Sequence, residues 1–152
     1  MYDYEHTQRG TVLRVICGGV AGFLAVAGVV LLLMGESPGE VVYVGIPFVL
    51  MSVVLALFHS LTVRVSKNEL QIVFGIGVIS RTWQTADIED FVAVKNHWIL
   101  GWGIKRFRGG WLYNVSGQDA VEISLRNGTK FRIGTDEPRE LLAALQTLTS
   151  QS

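Results

Sequence analysis

Residues 61–74, LTVRVSKNELQIVF, alternate apolar and polar side chains on either side of a short polar centre. In the first half Leu61, Val63 and Val65 share one face, and the second half repeats the pattern from Leu70. A period of two residues is that of a β-strand with one buried face. The stretch therefore predicts a β-hairpin that opens a β-rich domain.

Two long apolar runs precede this hairpin. The first, VICGGVAGFLAVAGVVLLLM at residues 15–34, carries no charge, and at 1.5 Å per residue it reaches about 30 Å, the thickness of the hydrocarbon layer of a bilayer. The second, VVYVGIPFVLMSVVLALF at residues 41–58, is also uncharged, and GESPGE at residues 35–40 separates the two. So short a connection predicts an antiparallel transmembrane helical hairpin.

The predicted spans run from about residue 12 to 34 and from about residue 41 to 59, within a hairpin over residues 11–60. A cleaved signal peptide is the competing interpretation of the first span, because Arg9 and Arg14 precede it. A second span so soon afterwards argues against cleavage.

Charges that flank the spans predict their orientation. Arg9 and Arg14 precede the first span, Arg64 and Lys67 follow the second, and the connecting loop carries acidic residues and no cation. Because cytoplasmic loops are enriched in cations, both termini are predicted to be cytoplasmic, with residues 1–10 as an N-terminal tail. The predicted localisation is the cell membrane, as a multi-pass protein.

Beyond the first hairpin the alternation continues in short segments, and the last of them turns at Asn127–Gly128, a pair favoured in tight hairpins. Residues 135–148 then change to a helical period with leucines along one face. The sequence thus predicts a membrane-anchored α+β protein. Its cytoplasmic domain, residues 61–152, is expected to be an antiparallel β-sandwich or partial barrel of about seven strands capped by a C-terminal helix.

This layout resembles the bacterial pleckstrin-homology-like (PH-like) domains found behind one or two membrane spans in small proteins. The resemblance covers about residues 61–148, and it is carried by GWGI at 101–104, WLYNVSG at 111–117 and IGTDEP at 133–138. It implies the pleckstrin-homology fold of seven strands and a C-terminal helix, and it implies no common activity. Of the basic pattern that phosphoinositide-binding relatives carry in their first turn, only Lys67 has a match.

Composition and spacing disfavour several classes of function. The 13 Lys and Arg residues balance 13 Asp and Glu residues, so the chain is not expected to bind nucleic acid by neutralising phosphates. His6, His59, His97 and the single Cys17 show no metal-ligand spacing. No nucleophile stands beside a base, and no carboxylate pair suggests acid-base catalysis. We therefore expect a non-enzymatic protein without catalytic residues, metal or cofactor.

One basic and aromatic segment is the candidate binding site. Its residues are Lys95, Trp98, Trp102, Lys105, Arg106, Phe107, Arg108 and Trp111. Cations attract anionic lipid headgroups, and indole rings favour the boundary of the bilayer. The alternative is structural, because Trp and Phe in a small β domain commonly belong to the core. The segment predicts an interaction module that binds a protein partner or anionic lipid headgroups at the membrane surface.

A structural role is the second hypothesis. Gly18, Gly19, Ala21 and Gly22 give the first span a face of small residues, which lets helices approach closely. This face packs either against the second span or against another copy of the chain. A homo-oligomer or an accessory membrane subunit is therefore the alternative function, and an enzyme with an unrecognised site is a more distant one.

The predicted orientation is tested by a reporter fused after Ser152. A reporter that functions only in the cytoplasm is expected to be active, because the cations lie outside the connecting loop. Activity only of a reporter that requires the opposite side of the membrane would reverse the predicted orientation.

Overall fold

The computed structural model describes residues 2–149; Met1 and residues 150–152, at the ends of the predicted tail and domain, lie outside the described residues. The elements are β1 (Tyr4–Arg9), α1 (Thr11–Met34), α2 (Pro38–Phe58), β2 (Ser60–Val65), β3 (Glu69–Phe74), β4 (Ile79–Gln84), β5 (Ile88–Lys95), β6 (Gly103–Phe107), β7 (Gly110–Asn114), β8 (Asp119–Leu125), β9 (Lys130–Gly134) and α3 (Pro138–Thr149). Short 3-10 turns lie at Thr85–Asp87 and Trp98–Leu100. The α+β class is confirmed, and the described residues form nine strands where about seven were predicted.

The two helices α1 and α2 are long and apolar enough to cross a membrane. Most of their side chains are exposed: Cys17 and Ala21 are the buried residues of α1, and α2 has none among its described residues. A Cβ atom added at Gly18, Gly19 or Gly22 would meet nothing within 4 Å. Of the predicted small-residue face, only Ala21 is therefore buried within the chain.

The helical hairpin is inserted between two paired strands. The strands β1 and β2 pair antiparallel, from Tyr4 opposite Val65 to Arg9 opposite Ser60. Six of the ten residues predicted as an N-terminal tail thus form an edge strand, and the domain is built from chain on both sides of the hairpin. Burial alternates along β1, but two of its three inward positions hold the polar residues His6 and Gln8, so the sequence YEHTQR shows no apolar alternation.

The second sheet has five strands in the order β5-β8-β9-β7-β6. Its strands β7 and β9 are parallel, from Gly110 opposite Lys130 to Tyr113 opposite Ile133. The expected all-antiparallel sheet is therefore wrong at this pair, since β8 takes the antiparallel edge of β9 and leaves the other edge to β7. The close approach needs a glycine, because a Cβ at Gly110 would overlap the Lys130 carbonyl.

An apolar core lies between the two sheets and α3. Its buried members include Leu61, Val63, Val65, Leu70, Ile72, Phe74, Val121, Ile123, Phe131, Ile133, Leu141, Leu145 and Leu148. The ring of Trp83 stacks on that of Phe131, with 4.0 Å between centroids. The faces predicted from the period of two are confirmed for both hairpins.

The connections between the helices and the domain are short and are held by hydrogen bonds. The Gly10 amide donates to the His59 carbonyl at 2.9 Å, and the Ile76 amide donates to the Ala56 carbonyl at 3.3 Å. The ring of Phe58, at the end of α2, packs edge-on against the aromatic core. The direction of the helices is therefore tied to the direction of the strands.

The domain has two distinct ends. At one, which we call the helix end, β1 and β2 join the helices, and Gln8 Nε2 donates to the Ser116 carbonyl at 3.1 Å. The opposite end, called the far end, contains the turns that follow β2 and β8. These turns adjoin the 3-10 turn before β5, because the Thr85 amide donates to the Asn68 carbonyl and the Arg126 amide to the Asp87 carbonyl.

Two glycines of the β3–β4 turn test the contact with α2. Both Gly75 (φ +46°) and Gly77 (φ +90°) have a left-handed backbone, but only at Gly75 would a Cβ collide with backbone, that of Ala56 and Leu57. We expect Gly77→Ala to cost about 1 kcal/mol of unfolding free energy and Gly75→Ala at least about twice that. Thermal unfolding of the detergent-solubilised chain measures the loss of stability in both variants. Equal losses would contradict close packing of this turn against α2.

Candidate functional site

The residues of the predicted binding segment are divided between the two ends of the domain. Lys95 ends β5, and Trp98 and Trp102 lie in the β5–β6 connection at the helix end. Residues 106–111, which we call the basic turn, join β6 to β7 at the far end. Lys105 lies on β6 between the two groups. At about 3.3 Å per residue, the five-residue β6 separates its ends by about 13 Å.

The β5–β6 connection is an anchored loop with an apolar tip. The Asn114 side chain donates to the carbonyls of Gly101 (3.3 Å) and Gly117 (3.1 Å), which holds the loop at the helix end. At the tip Trp98 is 70% exposed and Ile99 is 68% exposed. Such side chains favour the boundary between water and an apolar phase.

A second exposed apolar pair lies at the same end. Ile76 and Val78, in the turn between β3 and β4, are 65% and 72% exposed. The amide of Ile76 bonds to the last turn of α2, so this turn lies beside the helix. Together, Ile76, Val78, Trp98 and Ile99 form what we call the apolar fringe of the helix end.

The basic turn places two exposed guanidinium groups near an indole ring. Arg106 and Arg108 are exposed, and neither makes an ion pair with a described residue. Trp111 lies opposite Arg106 in the β6–β7 pairing and is 44% exposed. A cavity of about 520 Å³ here is lined by the basic turn and Thr129. Guanidinium groups beside an indole suit carboxylate or phosphate ligands.

Phe107, by contrast, has a structural contact on the outer face of the five-stranded sheet. The Arg132 guanidinium lies 4.3 Å from the centre of its ring. The same guanidinium donates to Glu122 at 2.7 Å and to Asn96 at 3.1 Å. Phe107 therefore covers a polar cluster that joins β6, β8 and β9 to the β5–β6 connection.

A polar pocket that the sequence did not indicate lies at the helix end. Its volume is about 540 Å³, and its lining residues are Thr7, Gln8, Arg9, Thr11, Ser116, Gly117, Asp119, Thr135 and Asp136. Gln8 is 4% exposed, and its Oε1 has no hydrogen-bond partner among the described residues. The pocket was missed because its walls come from separate segments and β1 was not recognised as a strand.

Acidic side chains before and within α3 lie near two residues of β1 beside this pocket. His6 Nε2 lies 2.7 Å from Asp136 Oδ1, and His6 Nδ1 lies 3.1 Å from Glu137 Oε2. Burial, with a smaller effect from Glu137, Glu140 and Asp136, raises the pKa of Tyr4 to about 12. The Tyr4 hydroxyl is buried without a partner among the described residues.

No His, Cys, Asp or Glu cluster within residues 2–149 is placed to hold a metal ion. Comparisons of the chain with protein-family models, with curated proteins and with solved structures found no match. The geometry of the two ends is therefore the basis for any function proposed for the chain.

The raised pKa of Tyr4 predicts a loss of stability in alkali. Its folded pKa lies above the unfolded value of about 10, so its contribution is fully present below pH 10 and is lost as pH rises toward 12. We expect Tyr4→Phe to reduce the fall in unfolding temperature across this range. At neutral pH the change should cost little, because the hydroxyl has no partner.

The exposed Tyr2 provides the matched control. Thermal unfolding of Tyr4→Phe and Tyr2→Phe is measured from pH 9 to 12 in the solubilised chain. If the two variants show the same dependence on pH, the assignment to Tyr4 is wrong.

Proposed function

We propose that this protein is a non-enzymatic integral membrane protein whose domain is an interaction module held at the membrane surface. The observation that carries the proposal is the insertion of two long apolar helices between the paired strands β1 and β2. Both helices leave the same end of the domain. In a bilayer they hold the helix end against the surface and turn the far end toward solvent.

The proposed orientation places the domain in the cytoplasm. Arg9 ends β1 just before α1, and Arg14 lies near the start of α1, where its Nε donates to the His59 carbonyl beside the end of α2. The opposite connection, between Met34 and Pro38, carries no cation. The cation distribution at the two ends of the hairpin follows the pattern of cytoplasmic termini.

We also propose that the domain is PH-like. Two packed sheets and a C-terminal helix over one core support this assignment. The nine strands and the parallel β7–β9 pair depart from the seven-stranded arrangement that the resemblance implies. The function proposed here depends on the two ends of the domain and not on the name of the fold.

The apolar fringe supports contact between the helix end and the bilayer. Trp98 and Ile99 extend from one loop, and Ile76 and Val78 extend from another beside α2. Transfer of indole and aliphatic side chains from water into the membrane interface lowers the free energy. The fringe would thus hold the domain close to the membrane and limit its tilt.

The basic turn favours an acidic protein partner over the lipids of the same bilayer. It lies at the far end, so the width of the domain separates Arg106 and Arg108 from the helices. A headgroup-contacting surface belongs at the helix end, and surface charge falls off within a Debye length of about 8 Å at physiological salt. Arg and Trp side chains are also enriched among the residues that dominate protein interfaces.

Assembly within the membrane is the second candidate function. Gly18, Gly19 and Gly22 are not covered by α2, so this face of α1 is available to another helix. Crosslinking in native membranes tests this alternative, and monomer alone would count against it.

The interaction proposal is tested with a photo-crosslinking residue at Trp111 in the full chain, in native membranes. A protein adduct is expected, and the double variant Arg106→Gln/Arg108→Gln should lower its yield about tenfold, because both charge-assisted contacts are lost. The matched control, Lys67→Gln/Arg139→Gln, removes two exposed cations that lie outside the basic turn. Crosslinking to lipid alone, or equal yields from both double variants, would overturn the proposed partner surface.

A further inference from the structure

We propose that the polar pocket at the helix end binds a phospholipid headgroup that carries both a phosphate and a primary ammonium. The proposal rests on the membrane insertion proposed above. The pocket is bounded by the end of β1, the start of α1, the loop before β8 and the connection from β9 to α3. Its volume of about 540 Å³ lies in the range of small-molecule sites.

The depth of the pocket matches the headgroup layer. Thr11 lines the pocket and begins α1, and the uncharged run begins at Val15. Four residues of helix correspond to about 6 Å. The layer between the hydrocarbon core and bulk water is about 5 to 7 Å thick on each side of the bilayer. A headgroup beside α1 therefore reaches the pocket without leaving the surface.

One side of the pocket suits a phosphate. Arg9 is exposed and makes no ion pair with a described residue. The adjacent N-terminus of α1 has no side-chain cap at Gly10, and its first turn has no acidic residue. A guanidinium and uncapped helical N–H groups both favour a negative charge.

The other elements of the pocket suit an ammonium. Asp119 is an exposed carboxylate, and within the described chain it has no ion-pair partner. Asp136 adds a second carboxylate, which His6 contacts from outside the pocket lining. A zwitterion therefore matches this lining better than a simple anion does.

The buried side chain of Gln8 has an acceptor that is unpaired within the described chain, which indicates a ligand. It lines the pocket while being 96% buried (4% exposed), and its Nε2 is already bonded to the Ser116 carbonyl. Its Oε1 lacks a donor among the described residues and exposes almost no surface, and such acceptors are normally satisfied. A small shift of the Gln8 amide would open this acceptor to a ligand in the pocket. A primary ammonium offers three N–H donors, whereas a trimethylammonium group offers none. The pocket should therefore select an ethanolamine-type headgroup over a choline-type headgroup.

The test uses native mass spectrometry of the full chain titrated with phosphatidylethanolamine, phosphatidylcholine or phosphatidylglycerol. We expect phosphatidylethanolamine to be retained about tenfold more strongly than phosphatidylcholine, the difference expected for a charge-assisted hydrogen bond. Asp119→Asn should remove this preference. The matched control, Asp87→Asn, changes an exposed carboxylate at the far end and should preserve it.

A soluble arm identifies the source of the headgroup. Glycerophosphoethanolamine is added to the detergent-solubilised chain, where binding does not require a bilayer. Competition with the lipid supports one shared site, and binding of the soluble compound alone supports the headgroup chemistry with a soluble source. Equal retention of all three lipids, or preference for phosphatidylglycerol, would overturn the proposal. Failure of the chain to resist alkaline extraction from membranes would instead overturn the membrane anchor.

Discussion

The pairing of β1 with β2 across the helical hairpin is the constraint on which the rest of the structure depends. Tyr4–Arg9 lies against Ser60–Val65 along its whole length, and residues 10–59 lie between the two strands. The connection from β1 to α1 and the connection from α2 to β2 therefore lie side by side at one end of the sheet. This arrangement defines the helix end and the far end, and it brings Gln8 to the loop before β8.

The contacts at the boundary between the helices and the domain hold the two parts together as one rigid unit. Gly10 and Ile76 donate hydrogen bonds to the end of α2, and the Phe58 ring packs on the core, so the helices and the domain are not joined by a flexible linker. A fragment that begins at residue 61 lacks β1, which leaves the outer edge of β2 unpaired and removes one wall of the polar pocket. Binding studies on such a fragment would report on a different surface.

Local patterns predicted the elements whose partners are near in sequence. The alternation of residues 61–74 and the turn at Asn127–Gly128 marked two hairpins, and uncharged length marked both helices. The strand β1 was missed because its polar edge sequence has its partner on the other side of two helices. The basic and aromatic segment was predicted as one site because proximity in sequence does not show that an extended strand separates its ends.

The insertion of α1 and α2 between β1 and β2 also links completion of the sheet to the path of the chain through a bilayer. The strand β1 is synthesised before both helices, and it has no partner strand until β2 follows them. If the helices cross the bilayer as we propose, only a chain that crosses twice returns Ser60–Val65 to the side that holds Tyr4–Arg9. A chain that crosses the bilayer once leaves β1 and β2 on opposite sides of the membrane. The unpaired edges of these strands then favour misassembly. Closure of this sheet would therefore act as a check on topology during biogenesis.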